Sequence, residues 1–128
     1  MNGYARAQNA YTESSVLTAP PERLVLMLYD GAIRFLRQAG VAMTQADHTY
    51  ARDRIRRAEA IVDELNVTLD MKQGEIAQQL RSIYLFCKRH LNQAIIGSDA
   101  KAIDDVIDLL GGLRESWETL ARTQATAA

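Results

Sequence analysis

The sequence predicts an all-α protein, an antiparallel up-down four-helix bundle behind a flexible N-terminal strap. Three observations predict it. The only two prolines, Pro20 and Pro21, are adjacent and near the start, so the residue that breaks helices is missing from everything that follows. Beyond them apolar residues recur in steps of three and four, and the Val/Ile/Thr/aromatic clusters of strands are absent. Short polar or glycine-bearing breaks divide that region into four segments of about 20 residues, and short connections make consecutive helices antiparallel neighbours.

Residues 1–18 are small and polar, punctuated by Tyr4, Tyr11, Val16 and Leu17, and read as an extended or weakly helical strap. Ala19 and Pro20 each precede a proline, which favours extended backbone, and Pro21 suits the first position of a helix. The bundle is expected over 19–124. Its first helix should run from Pro21 to Thr44, with Leu24, Leu28, Phe35 and Ala39 on one stripe. Val25, Tyr29, Ala32 and Leu36 form a second stripe, and Leu26 with Ile33 a third, which is a wider apolar face than a surface helix needs. Asp47 or Thr49 can cap a second helix over Tyr50 to Leu69, whose seam is Ala51, Ile55, Ala58, Val62, Leu65 and Leu69. Asp70 to Gly74 should turn the chain. A third helix from Glu75 to Ile96 repeats the spacing with Ile76, Leu80, Ile83, Cys87, His90 or Leu91, and Ala94. Gly97 is a C-cap candidate, with Ser98 and Asp99 as caps for the next helix. The fourth helix should reach about Thr123 through Ile103, Val106, Leu110, Leu113, Trp117 and Leu120, with Gly111-Gly112 marking a bend or a close contact. Residues 125–128 are expected to be a disordered tail.

Composition restricts function. At 128 residues the chain is one domain's worth, and a net charge of −1 gives no bulk attraction to nucleic acid or anionic membrane. A single cysteine, Cys87, excludes an internal disulfide and fits a reducing compartment. No apolar run approaches the roughly 18 residues that span a bilayer, and the N-terminus lacks the apolar stretch of a secretory signal. These features place the expected protein in the cytoplasm, with no nucleic acid partner and no membrane insertion.

Catalytic chemistry has no foothold in the residues. A di-iron bundle needs Glu-x-x-His on two helices, but the residues three before His48 and His90 are Gln45 and Cys87. One cysteine and two distant histidines cannot close a zinc site. Cys87 shares a helical face with His90, yet it falls on the core seam, where cysteine is an inert small hydrophobe. Neither Gly-rich phosphate motif occurs. Arg52, Arg54, Arg56 and Arg57 interleave with Asp53, Glu59, Asp63 and Glu64, the pattern of a solvated face with weak ion pairs. Asp99, Asp104, Asp105 and Asp108 suit the positive end of the fourth helix. No catalytic residue, metal site or cofactor is expected.

What stands out is surplus apolar surface. Tyr29, Ile33 and Leu36 on the first helix, Tyr84, Leu85 and Phe86 on the third, and Ile107 and Leu109 on the fourth flank the seams. Together they exceed one buried stripe per helix, and a contiguous exposed patch of several hundred Å² marks a protein-binding site. Surplus and spacing nominate Tyr29, Ile33, Leu36, Tyr84 and Leu109 as the lining of a partner-binding groove. The rival reading is a structural or assembly bundle whose surplus is a homodimer interface.

The segment Tyr11-x4-Val16-x-Thr18-Ala19-x-Pro21-x2-Leu24-x2-Met27-Leu28-Tyr29-Asp30-Gly31-Ala32 closely resembles the N-terminal signature of the FliS family of flagellar secretion chaperones. The similarity continues through Glu64-Leu65-x2-Thr68-Leu69-Asp70, Gly74-Glu75-Ile76-Ala77, Leu80-x2-Ile83-Tyr84 and Leu113-Arg114-Glu115-x-Trp117, covering about residues 11–120. Two departures are Pro20, where the family often has a capping serine, and Gly74, where a double glycine is common. The resemblance implies a cytoplasmic, ATP-independent chaperone with an antiparallel four-helix bundle. It would bind the disordered C-terminal segment of flagellin, block premature polymerisation and deliver the subunit to a component of the flagellar export gate. The chain itself is expected to be a monomer or weak homodimer. The resemblance also implies an N-terminal strap, here with Tyr11, Val16, Thr18 and Ala19 at the motif positions, that covers a groove flagellin otherwise occupies.

Overall fold

The computed structural model describes residues 21–127. The strap positions Tyr11, Val16, Thr18 and Ala19 therefore lie outside the described residues, as does Pro20. Four helices follow one another: α1 (Pro21–Thr44), α2 (His48–Val67), α3 (Glu75–Gly97) and α4 (Ala100–Ala127), with one 3-10 turn, Met71–Gln73, before α3. Consecutive helices run antiparallel and α4 returns beside α1, so each helix has two neighbours and faces the fourth across the core.

Local chemistry sets the boundaries. Asp47 caps α2, its carboxylate accepting from the Tyr50 amide at 3.2 Å, so the helix starts two residues before the expected Tyr50. Asp70 caps the 3-10 turn by accepting from the Lys72 amide at 3.0 Å. Gly74 then takes φ 73° and ψ −128°, a region open essentially only to glycine, which is how a single glycine makes this turn. At the other end of α3 the helix carries through Gly97, and Ser98 adopts the left-handed conformation at φ 50°. Asp99 caps α4 through the amides of Lys101 and Ala102 at 3.0 and 3.3 Å. No breaker follows Gly112, and α4 continues past Thr123 to Ala127.

Small residues decide which seams are tight. A Cβ on Gly31 would lie 3.2 Å from Ile61 Cδ1, so α1 and α2 approach closely there, and Ala32, Ala39, Ala42, Ala51 and Ala58 are all buried. α1 is gripped along most of its length by α2 and α4, whereas the same two helices hold α3 more sparsely. Gly111 and Gly112 face open space, so neither marks a close helix contact.

The core stripe of α2 matches expectation at Ala51, Ile55, Ala58, Val62 and Leu65, with Ile61 added against α1. That of α3 matches at Cys87, Leu91 and Ala94, with Leu80 and Ile83 partly buried against the core, and fails at Ile76. Its buried residues are Ala77, Tyr84, Cys87, Leu91 and Ala94, while Ile83 is half-buried and Ile76 is 68% exposed. Of the pair His90 and Leu91, the core takes Leu91. On α4, Ile103, Val106 and Leu110 are fully buried, and Leu113 and Trp117 pack partly buried against the core.

Candidate functional site

Four of the five nominated groove residues belong to the interior. Tyr29 and Leu36 are fully buried, and Ile33 and Tyr84 nearly so. The physical reason is the same on both helices. α1 lies between two closely packed neighbours, which bury Tyr29, Ile33 and Leu36 and leave Leu24, Leu28 and Phe35 half-buried. Tyr84 turns inward because its polar tip finds partners there: its hydroxyl meets the Tyr29 hydroxyl at 2.5 Å, and that oxygen also accepts from Trp117 Nε1 at 3.2 Å. The three side chains thus tie α1, α3 and α4 together across the core, satisfying groups that would otherwise be costly to bury. Burial pushes both phenol pKa values up, and for Tyr84 the contact with Tyr29 adds to it. Both stay protonated and act as structural hydrogen-bond groups. Only Leu109 remains at the surface, half-buried on α4.

The open apolar surface lies along α3 instead. Ile76, Leu85, Phe86 and Ile96 are exposed, and Leu80 and Ile83 are half-buried. His90 Nε2 meets Asp105 Oδ2 at 3.2 Å, which fixes the antiparallel register of α3 on α4. Counting equal steps from that contact puts Phe86 level with Leu109 and Ile83 level with Gly112. The α3–α4 seam is therefore floored by Ile83 and Leu109, edged by Phe86 and Ile76, and left open where Gly112 has nothing within 4 Å of its would-be Cβ. Leu113, a turn beyond Leu109 and partly buried, extends the floor.

Charge frames one end of the seam. His90 stacks on Phe86, ring centroids 4.9 Å apart, and Lys101 reaches Asp105 at 3.1 Å. The hydrogen bonds from His90 and then Lys101 hold the Asp105 carboxyl below its ordinary range. This cluster fastens α3 to α4 at its lower half. At the upper half Arg114 turns the other way, pairing with Asp30 of α1 and Glu118.

Reactive chemistry is not assembled in this region. Cys87 is fully buried and burial pushes its thiol up to about 11, so it stays a thiol at neutral pH. Among the described residues no three His, Cys, Asp or Glu side chains converge as metal ligands, and no helix is long and apolar enough to cross a membrane. A separate cleft of about 650 Å³ on the outer face of α1 is lined by Arg34, Arg37, Val41 and Tyr50 among others, mixed in polarity and open to solvent.

Sequence reasoning counted Ile76 and Ile83 as core and left Phe86 among the flanks. A signal was present: 77, 80, 84, 87, 91 and 94 also step by three and four, and that alternative seats Tyr84, the residue with a hydroxyl to satisfy, opposite Tyr29 and Trp117.

Comparison with known proteins agrees with this architecture. The family model for "Flagellar protein FliS" matches residues 4–124. The flagellar secretion chaperone FliS of Salmonella typhimurium is 37% identical over 111 residues, covering 85% of this chain and 82% of that protein. The protein of the same name from Campylobacter jejuni is 33% identical over 122 residues, covering 94% and 95%, and that from Bacillus subtilis 31% over 115, covering 90% and 86%. A crystal structure of a bacterial flagellar chaperone superposes with a TM-score of 0.76 over 94% of this chain and 99% of that one, at 16% identity, a likeness of fold. With a family match across nearly all its length, the chain belongs to the FliS family of flagellar proteins.

Proposed function

We propose that this protein is a cytoplasmic flagellar export chaperone that holds the disordered C-terminal segment of flagellin as a helix in the α3–α4 seam. It keeps the subunit from polymerising prematurely and hands it to a component of the export gate, without catalysis or cofactor. The names of its relatives support the chaperone role. The observation that carries the site is an apolar seam, Ile76, Ile83, Phe86, Leu109 and Leu113, that the bundle itself leaves partly uncovered.

The energetics require such a surface. A disordered segment that folds on binding loses about 1–2 kcal/mol of backbone entropy per residue, so at about 25 cal/mol per Å² each ordered residue needs some 40–80 Å² of apolar burial. A helix laid in a groove presents apolar side chains every third or fourth residue and meets that demand with few polar contacts. We further propose that the segment before Pro21, with Tyr11 and Val16 as apolar anchors and Thr18 and Ala19 beside the proline hinge, competes for the same seam. A tether that short gives an effective concentration reaching millimolar, so weak docking suffices.

Calorimetric titration with a C-terminal flagellin peptide tests the reading. Phe86→Ser combined with Leu109→Ser should weaken binding at least tenfold without unfolding the bundle. Tyr11→Ala with Val16→Ala should strengthen it modestly, because the competent fraction rises. Absence of binding by the unmodified protein, together with sedimentation showing that the seam variants dissociate a dimer, would replace this function with the homodimer interface.

A further inference from the structure

The opposite flank of α3 carries a second surface of different chemistry. Lys88 Nζ meets Asp63 Oδ1 at 2.7 Å and sets the register of α3 on α2. Equal steps from that pair bring Val67, 82% exposed, level with Tyr84 and so beside Leu85, 41% exposed. By helical spacing Arg81, Leu85, Arg89, Asn92 and Ile96 form one stripe on this flank, with Ile96 at 78% exposure. Leu85 and Ile96 stand about 16 Å apart along the axis, three helical turns.

Basic side chains outnumber acidic ones on this flank, and the carboxylates at its two ends, Asp70 and Asp99, accept from backbone amides. The only acidic residue of α3 is Glu75, in its first turn. On the neighbouring face of α2, Asp63 is held by Lys88 and Glu59 by Arg56 at 2.7 Å. Arg52, Arg81 and Arg89 are exposed and have no acidic partner among the described residues. The α4 side of the same helix is the reverse, with Asp104, Asp105 and Asp108 in sequence along it. An anionic partner would be drawn to one flank of α3 and repelled from the other.

We propose that the α2–α3 face docks an acidic amphipathic helix of another protein, separate from the α3–α4 seam. A partner helix of about five turns would set apolar side chains on the Val67–Leu85 pair and on Ile96, with carboxylates on Arg52, Arg81 and Arg89. Apolar contact supplies affinity, and the three free guanidinium groups select the sign of the partner and offer bidentate acceptor geometry. A chaperone with such a face can carry a second protein while its seam is occupied.

A fluorescein-labelled 18-residue helical peptide with a leucine stripe and glutamate elsewhere is the probe, and its lysine counterpart is the control. Fluorescence anisotropy on the full chain should show the glutamate peptide binding at least tenfold more tightly than the lysine peptide. That binding should weaken at least tenfold between low salt and 0.5 M salt. Arg81→Glu with Arg89→Glu should weaken it at least tenfold, and Arg52→Glu alone, on the other helix, several-fold. Binding of the C-terminal flagellin peptide should change less than twofold in both variants. Equal affinity for the two probes, or indifference to both charge reversals, overturns the proposal. Parallel loss of flagellin binding overturns the separateness of the face, and a change in sedimentation of the protein alone would reassign it to self-association.

Discussion

α1 and α3 sit diagonally across the bundle and carry similar apolar loads, yet they spend them differently. Of the large apolar side chains of α1 only Val41 is exposed among the described residues, against Ile76, Leu85, Phe86 and Ile96 on α3. Both helices have α2 and α4 as neighbours, so the number of neighbours is not the cause. Distance is. Gly31 and the run of alanines let α2 close on α1, while both neighbours hold α3 more sparsely, leaving Phe86 and Ile76 open on the α4 side and Leu85 and Ile96 open on the α2 side. Apolar surplus therefore does not locate a binding surface. Small residues decide which surplus is covered.

The largest expected effect comes from truncating each helix where it differs. Leu36→Ala, in the closed side of the core, should cost about 2–5 kcal/mol in urea unfolding. Phe86→Ala, partly solvated already, should cost under about 1 kcal/mol. Equal costs would erase the distinction between the two helices.

Alkaline unfolding asks whether the inner stripe of α3 is as dry as that of α1. The thiol of Cys87 is raised by burial from 9.0 to about 11, and the folded state keeps its proton where the unfolded chain has lost it. Stability is therefore full below the ordinary thiol pKa and falls as pH rises toward 11. The two pK units amount to about 2–3 kcal/mol. Tyr84 and Tyr29, raised in the same direction, steepen the fall above pH 10. A flat profile between pH 8 and 11 would mean that water reaches this stripe.

Tyr29→Phe removes the hydroxyl that both the Tyr84 hydroxyl and the Trp117 indole bond to, and a loss of about 1–3 kcal/mol is expected by chemical denaturation. Tyr84→Phe should cost less, because Trp117 keeps its partner. The smallest effect is a gain. Gly112→Ala adds a methyl group in open space within a helix and should stabilise by about 1 kcal/mol, whereas the same change at Gly31 must push Ile61 aside and should gain less. If Gly112 lines the binding seam, that variant should also weaken flagellin binding, separating stability from function.

The sequence carried the helices with little loss, and the candidate site only in part. Asp47, Asp70 and Asp99 cap where a short acceptor side chain precedes an apolar run, a local rule that needs no fold. Leu109 lies half-buried at the surface, in keeping with its place beside the seam. Tyr29, Ile33, Leu36 and Tyr84 were misplaced because spacing reports a face, and a face is exposed or covered according to a neighbour that spacing does not show.

Local chemistry alone determined an all-α chain with four amphipathic segments, their order and their antiparallel connections. Each rests on interactions within a few residues: proline exclusion, capping, and apolar steps of three and four. Tertiary structure decided how near each pair of helices lies, that Tyr29, Tyr84 and Trp117 share one buried hydrogen-bonded junction, and that α3 is the helix left partly uncovered. Those outcomes depend on residues 30 to 88 positions apart in the chain meeting with matched volume, as Gly31 with Ile61 and Tyr29 with Trp117. No pattern confined to a single helix records that match; only assembly of the packed core does.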